Sequence, residues 1–302
     1  MDWETWLRNA AKRPSDHEDS KRNTTEQQIR SALNEYQPLR DHPDWTVYAK
    51  GSYANNTNVR LNYDVDIAVE YNGFFYYDMS FGFEGMDKSV ANVIATTDTY
   101  TRAEFKQDVL SALHNEFGKS SVTPGRIAYR VREGQTTLPA DVVPCWEYRR
   151  YDGFDDYGNM IMNVGSRVYP SDGPYKNNFP EQQLERGTAK NALTSKRYKR
   201  MVRCLKKMQT KLVADGVLSK ELPSYLIECI VFNVLDDRFG NDAYLDDFRS
   251  VVSSIWSGTK DDGNWYDWEE VNGLKYLFRI GEFDRLAVHN MVDKAWDAVG
   301  VA

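Results

Sequence analysis

The sequence predicts an α+β chain with two lobes, a mixed α/β N-terminal lobe around a central sheet and a helical C-terminal lobe. A chain of 302 residues is long for one simple domain. Short β-branched and aromatic runs alternate with helical patterns in the first half, and the pattern is mostly helical from about residue 178 onward. We therefore expect one lobe over residues 1–175 and a second over 176–302, with a cleft between them.

The elements follow from local patterns. Trp3, Trp6, Leu7 and Ala10 fit a short amphipathic helix that packs on the body of the protein. The rest of the N-terminal lobe is predicted as a helix over Thr24–Leu39, strands near 45–50 and 64–70, an irregular aromatic insertion over 72–98, a helix over Thr101–Phe117, and strands near 126–131, 138–143 and 159–164. In the C-terminal lobe we expect helices around 195–213 and after Pro223, a loop at Trp265 running into a helix, and a closing helix over Met291–Val299.

Composition narrows the class of protein. The net charge of −7 disfavours a protein that wraps duplex nucleic acid, because phosphate neutralisation supplies most of that affinity. No apolar run approaches a membrane span, and the acidic start lacks the pattern of a signal peptide. Three separated cysteines, Cys145, Cys204 and Cys229, indicate free thiols in a reducing cytoplasm, and no Cys/His spacing fits a zinc site. We expect a cytoplasmic protein without a membrane partner.

Two aspartates two residues apart are the first candidate for chemistry. Asp64 and Asp66 lie in an apolar run, so on a strand both carboxylates point to one face while Val65, Ile67 and Val69 point to the other. Adjacent carboxylates repel each other unless a cation neutralises them, and Mg²⁺ binds carboxylates together with substrate phosphates. Taken alone, such a pair is more often a solvated loop.

A Gly-Ser pair upstream makes the metal interpretation stronger. Gly51 and Ser52 follow a predicted strand and offer backbone N–H groups and a hydroxyl to phosphates. The combined pattern resembles the signature of the polymerase-beta-like nucleotidyltransferases. It is most similar there to the bacterial cGAS/DncV-like group (CD-NTases), with oligoadenylate synthase as a more distant relative.

The resemblance implies further site residues. It requires a third carboxylate on a neighbouring strand, and Asp141 at the start of an apolar run offers it; the alternative is an ordinary aspartate at a strand start. Lys206, on a helix with one basic face, resembles the family lysine that reaches the triphosphate, and Lys207 is the alternative in register. Ser224 is implied to contact phosphates and Tyr225 to stack on a base. The alternatives are a helix-terminal hydroxyl and a core tyrosine.

The chemistry that the resemblance implies is NTP polymerisation with two Mg²⁺ ions, or Mn²⁺, held by Asp64, Asp66 and Asp141. The implied product is a cyclic oligonucleotide, expected to be a purine-containing dinucleotide of the cGAMP type, that activates an effector protein in CBASS anti-phage defence. ATP and GTP are the favoured substrates. No obligate double-stranded DNA activator is expected, and a regulatory protein or peptide remains open.

Two other functions stay open at this point. One is a nucleotidyltransferase that modifies tRNA or protein, and the other is a nucleotide sensor that has lost catalysis. The three carboxylates argue against the sensor, because an inactive protein has no need of mutually repelling acids. Base order, 2′–5′ or 3′–5′ linkage, ring size and the activating signal do not follow from the sequence.

Overall fold

The computed structural model describes residues 1–59 and 65–300. Contacts within this part divide the chain into two compact units. We call residues 16–50 and 65–180 the sheet unit, and residues 1–15, 51–59 and 181–300 the helical unit. The first fifteen residues thus group with the C-terminal helices, because Leu7 and Ala11 are buried in the helical core. The boundary that the sequence indicated at residue 175 did not anticipate this discontinuous arrangement.

The sheet unit contains a seven-stranded mixed sheet with the main strand order β1-β2-β5-β4-β3. Strand β6 pairs with β5, and β7 pairs with β6. Only the β2–β5 pair is parallel among the described pairings; the others are antiparallel. The strands are β1 Trp45–Ala49, β2 Val65–Asp78, β3 Val122–Pro124, β4 Tyr129–Val131, β5 Ala140–Phe154, β6 Met160–Val168 and β7 Lys176–Asn178.

Strand β2 is longer than predicted. The irregular insertion expected over 72–98 is therefore wrong for residues 72–78, which belong to this strand. The strand continues to Asp78, where its last residues pair with Tyr148–Arg150 of β5 after a register shift. Aromatic residues favour strands, and the Arg149 guanidinium lies 3.7 Å from the centre of the Phe75 ring. Beyond Asp78 the segment contains turns and one 3-10 helix, Lys88–Ala91.

Three helices belong to the sheet unit: α2 Asp16–Glu35, α3 Gln37–Asp41 and α5 Arg102–Phe117. The single helix predicted over Thr24–Leu39 is therefore two, and the second begins with a proline in its first turn. Helix α5 matches the prediction, and a capping box between Thr101 and Glu104 fixes its start.

The helical unit has one large apolar core. Its helices are α1 Trp3–Ala10, α4 Gly51–Ala54, α6 Pro180–Leu193 (whose first residue ends the sheet unit), α7 Tyr198–Ala214, α8 Ser224–Phe232, α9 Tyr244–Gly258 and α10 Arg285–Val299. The predicted helix after Trp265 is wrong: a short 3-10 turn over Trp265–Asp267 is followed by turns up to α10. The α+β class with two units is confirmed.

The cysteines and the helix lengths bear on two further properties of the chain. All three cysteines are free and buried, as their apolar sequence contexts indicated. None of the helices in the described ranges is both long and apolar enough to cross a bilayer.

Candidate active site

Asp66 and Asp141 are direct neighbours in the sheet. They are register partners on the parallel strands β2 and β5, so their side chains project from the same face about 5 Å apart at the backbone. Both residues are half-buried, whereas Val65, Ile67 and Val142 of the opposite face are fully buried. The register of the two strands therefore brings together two of the predicted carboxylates at the start of a buried strand pair. Asp64, the remaining predicted carboxylate, lies outside the described residues.

An arginine on the next strand accompanies this pair. Arg130 of β4 is the register partner of Asp141, and its Nε lies 3.6 Å from Asp141 Oδ1. The Arg130 side chain is 76% exposed, so the interaction is screened and contributes about 0–1 kcal/mol. Arg130 was not predicted from the sequence, although its place opposite an acidic residue in two predicted paired strands was an available signal.

The carboxylate pair suits a hard divalent cation. Carboxylate oxygens are the ligands that Mg²⁺ and Mn²⁺ prefer, and thiol or imidazole ligands are not needed for them. Within residues 1–59 and 65–300, no group of three or more His, Cys, Asp or Glu side chains could hold a metal ion. The three-carboxylate site therefore depends on Asp64, and it stays a prediction.

A buried acid lies farther along the carboxylate face. Glu70 projects from the same face of β2 as Asp66, four residues on, and is 9% exposed. Its carboxylate accepts hydrogen bonds from the Tyr48 hydroxyl at 2.8 Å and from Asn72 Nδ2 at 3.2 Å. Burial, with a smaller contribution from nearby Glu147, raises the pKa of Glu70. No sequence pattern had singled out Glu70, because one acidic residue in a strand normally faces solvent.

The Gly51-Ser52 pair forms a tight turn after β1, as predicted. Gly51 has φ +68°, a left-handed conformation that glycine adopts without steric cost, and it begins the four-residue helix α4. The Ser52 carbonyl accepts hydrogen bonds from the N–H groups of Thr57 (2.9 Å) and Asn58 (3.2 Å). The segment after Ser52 is thus folded back onto the turn, and this holds the turn in one conformation.

Side chains of the helical unit hold the same segment from the other side. The buried Thr57 hydroxyl donates to Glu228 of α8 at 2.7 Å, and Glu228 also accepts from Gln183 of α6 at 2.9 Å. Lys206 of α7 donates to the Thr57 carbonyl at 3.1 Å and is only 5% exposed. The lysine for which the resemblance implies a phosphate contact anchors the segment that follows Ser52.

The other predicted nucleotide-binding residues lie at and near the start of α8. Ser224 is its first residue and is exposed, directly after Pro223. Tyr225 is half-buried; its hydroxyl donates to Glu270 at 3.0 Å and accepts from Asn272 Nδ2 at 3.1 Å. Burial raises the pKa of Tyr225 well above its usual value, so the hydroxyl stays protonated. Lys207, the alternative to Lys206, is half-buried.

The predicted residues therefore fall into two groups, each within one unit. Asp66 and Asp141 are adjacent in the sheet unit. Gly51, Ser52, Lys206, Ser224 and Tyr225 belong to the helical unit. Paired carboxylates on parallel strands, in a chain with a Gly-Ser turn after a strand, are typical of nucleotidyltransferases.

Comparison with known proteins agrees with this chemistry. Residues 185–300 match the model of the cGAS/DncV-like nucleotidyltransferase C-terminal helical domain. The chain is 35% identical over 281 residues to the cyclic dipyrimidine nucleotide synthase CdnE of Cecembia lonarensis, covering 92% of this chain and 91% of the relative. Two solved structures have a TM-score of 0.79 and cover 99% of this chain.

The first of these structures is the Elizabethkingia meningoseptica CdnE cyclic dinucleotide synthase with GTP and Apcpp, at 30% identity and 99% coverage of that chain. The second is the Rhodothermus marinus CdnE c-UMP-AMP synthase with Apcpp and Upnpp, at 29% identity and 98% coverage. The chain belongs to the cGAS/DncV-like nucleotidyltransferases of the polymerase-beta-like superfamily, as the sequence motifs indicated.

Proposed function

We propose that this protein is a metal-dependent nucleotidyltransferase that joins two NTPs into a cyclic dinucleotide and releases pyrophosphate. The observation that carries the proposal is the register pairing of Asp66 with Asp141 in a chain similar over more than nine tenths of its length to a cyclic nucleotide synthase. Paired, half-buried carboxylates are costly to keep without a cation, and this supports a catalytic centre over a silent sensor.

In the proposed mechanism, Asp66 and Asp141, together with Asp64, would hold Mg²⁺. When bound, the metal lowers the pKa of the attacking ribose hydroxyl and stabilises the pyrophosphate that leaves. The Ser52 hydroxyl, the backbone N–H groups of its turn and Ser224 bind the triphosphate. The Asp141 carboxylate, on the acceptor side, accepts the proton of the attacking hydroxyl.

Lys206 and Tyr225 complete the nucleotide site in this proposal. Lys206 contributes positive charge to the phosphates while it keeps the Thr57 carbonyl in place. Tyr225 presents its ring to a base, and its hydroxyl is fixed by Glu270. Fixing a side chain before substrate binds reduces the entropy lost on binding.

Base choice is the finer part of the proposal. The sequence resemblance led us to expect a purine-containing product of the cGAMP type from ATP and GTP. The relatives above are named for a dipyrimidine and for a UMP-AMP product, and one is bound to GTP and Apcpp. Overall similarity therefore leaves the base open, and the purine product stays a prediction.

Product analysis tests the proposal directly. Purified protein is incubated with all four NTPs and Mg²⁺, and products are identified by mass spectrometry before and after phosphatase treatment. We expect a phosphatase-resistant cyclic dinucleotide and pyrophosphate. Linear oligomers alone would contradict the cyclic product. A label transferred to tRNA or protein would favour the nucleotidyltransferase that modifies those molecules. Tight NTP binding without turnover would favour the sensor.

Metal dependence is tested in the same assay. EDTA should abolish NTP consumption, and Mg²⁺ or Mn²⁺ should restore it, because the proposed ligands are all carboxylate oxygens. Zinc should not be required. Stoichiometric zinc in the protein as purified, or full activity in EDTA, would contradict the assignment.

We also propose that the protein acts in the cytoplasm in CBASS anti-phage defence, where its product activates an effector protein. The support is family membership together with the expected second-messenger product. Cells that carry the complete defence locus should resist phage, and Asp66→Asn in the same locus should remove that resistance at unchanged protein level. Equal resistance with the variant would contradict the role.

A further inference from the structure

A strongly basic pocket lies within the helical unit, where the end of α1 meets the first turns of α7. The pocket has a volume of about 590 Å³. Five of its seven lining residues are basic, and within the described part of the chain none is acidic; they are Arg8, Ala11, Lys12, Arg13, Arg200, Arg203 and Tyr244. Such a concentration of one charge is unexpected in a chain with a net charge of −7.

Arg203 makes this a built site rather than a solvated face. Its side chain is 6% exposed; Nε donates to the Ala11 carbonyl at 2.8 Å and Nη1 to the Asn56 carbonyl at 2.6 Å. No carboxylate of the described residues pairs with it, and Nη2 forms no hydrogen bond to them. Burial, with contributions from Arg200 and Arg13, lowers the pKa of Arg203 to about 10. The fold thus retains a buried, uncompensated cation, which is costly unless an anion binds.

The other basic side chains of the pocket differ in whether they already contact a carboxylate or a tyrosine. Arg8 pairs with Glu4 at 2.6 Å, and its guanidinium lies over the Tyr244 ring. Arg200 donates to the Tyr244 hydroxyl at 2.8 Å and is half-buried. Lys12 and Arg13 are exposed, and in residues 1–59 and 65–300 neither pairs with an acid. The positively charged side chains that can contact a bound anion are therefore Lys12, Arg13, Arg200 and Arg203.

We propose that this pocket binds a compact ligand with two or more adjacent phosphate groups, such as a nucleoside polyphosphate or inorganic polyphosphate. Its volume is within the range of small-molecule sites, about 300–1,000 Å³. Arginine forks suit phosphate oxygens, and several cations around one cavity match neighbouring phosphates. A long nucleic acid fits less well, because the net charge of the chain opposes an extended polyanion. The site does not depend on the proposed function.

Calorimetric titration with inorganic tripolyphosphate tests this proposal. EDTA is present throughout, because it removes the divalent cation of the proposed catalytic centre, which the basic pocket does not need. We expect binding to the wild type that weakens as salt rises. Arg13→Gln should weaken it about tenfold, since a charge-assisted contact is lost. Lys119→Gln, which removes an exposed positive charge of the sheet unit, should bind as the wild type does.

Two further measurements locate the ligand and keep the test independent of folding. Hydrogen exchange should slow at residues 8–13 and 198–203 on addition of tripolyphosphate. Arg200→Gln should weaken binding similarly, while its affinity for a nonhydrolysable NTP with Mg²⁺ and its Tm stay near those of the wild type. Unchanged tripolyphosphate affinity in Arg13→Gln and Arg200→Gln would overturn the proposal. So would protection confined to residues 51–58 and 222–226, or binding seen only with long single-stranded RNA.

Discussion

At the scale of single residues, the carboxylates of Asp66 and Asp141 are the most informative side chains. Their backbones are adjacent in a parallel pair, and their charges repel each other. Arg130 offsets this only through an exposed contact at 3.6 Å. Repulsion of this kind costs stability in the absence of metal, and a bound cation converts it into binding energy.

Removing the charges tests both statements. Asp64→Asn together with Asp66→Asn keeps size and deletes two negative charges. We expect nearly complete loss of pyrophosphate release, with an equal or higher Tm in EDTA because the repulsion is relieved. Asp156→Asn, at an exposed turn, is the matched control and should retain wild-type rates. Undiminished pyrophosphate release from the double variant would refute the metal assignment.

Lys206 and its neighbour Lys207 differ in environment, and this allows the register to be tested. Lys206 is buried and bonded to the Thr57 carbonyl, whereas Lys207 is half-buried. If Lys206 contacts the triphosphate as proposed, Lys206→Ala deletes a charge-assisted contact of about 1.5–3 kcal/mol. We expect the apparent KM for every NTP to rise by roughly one to two decades, and Lys207→Ala to change it little. The measurement is titration with a nonhydrolysable NTP; equal affinity in Lys206→Ala and the wild type would move the phosphate contact elsewhere.

Which residues the sequence could predict depends on how local their signals are. Asp66 follows from alternation within one strand, Asp141 from the third carboxylate that the resemblance requires, and Gly51 from a Gly-Ser pair directly after a predicted strand. Glu228 was not predicted, because its partner Thr57 lies 171 residues away and no local pattern links them. Arg203 belonged to a helix face that resembled a solvated surface, and only packing shows that its guanidinium is buried.

At the scale of elements, the segment 51–59 connects the turn at Ser52 with helices α7 and α8. Within the segment, the Ser52 carbonyl accepts hydrogen bonds from the N–H groups of Thr57 and Asn58. The Thr57 hydroxyl donates to Glu228 of α8. Because Glu228 is 2% exposed, its carboxylate depends on the Thr57 and Gln183 donors for satisfaction. Three helices thereby determine the conformation of a segment that has only four helical residues of its own.

Thr57→Val keeps the shape of the side chain and removes the hydroxyl. Removing one hydrogen-bond donor from a buried carboxylate lowers the free energy of unfolding by about 1–3 kcal/mol, so we expect a lower Tm. If the segment positions Ser52 for phosphates, the KM for NTP should also rise. Thr57→Ser retains the hydroxyl and should preserve KM. A variant with reduced Tm and unchanged KM would show that the Thr57–Glu228 contact stabilises the fold without positioning the turn.

The accuracy of the predicted elements also follows from local chemistry. Helix α5 was predicted from the helical spacing of its apolar residues, and in the structure a Thr101–Glu104 capping box fixes its start. Strand β2 was predicted too short because its second half, rich in Phe and Tyr, resembled an irregular insertion; its pairing with β5 and the Arg149–Phe75 contact stabilise it. The helix expected directly after Trp265 does not form. The aromatic and acidic residues there form a short 3-10 turn, and further turns follow.

At the scale of the whole molecule, the distribution of charge matters more than its sum. The net charge is −7, yet the lining of one pocket is mostly basic. The basic face predicted on α7 is partly buried, since Arg203 and Lys206 are buried and bonded to backbone carbonyls. The basic pocket is small, which suits compact phosphates better than a long duplex.

Double-stranded DNA should consequently not be an obligate activator. A protein that neutralises many phosphates needs an extended exposed set of Lys and Arg, and duplex binding of that kind falls steeply with salt. We expect the same rate of NTP consumption with and without long duplex DNA at physiological salt, and no shift of the protein in a mobility assay. The control is Lys119→Gln, which removes an exposed cation. Its rate of NTP consumption should equal that of the wild type both with and without duplex DNA. Activity that appears only when long duplex is added would refute this prediction, and the activating signal would then have to bind a surface beyond the basic pocket.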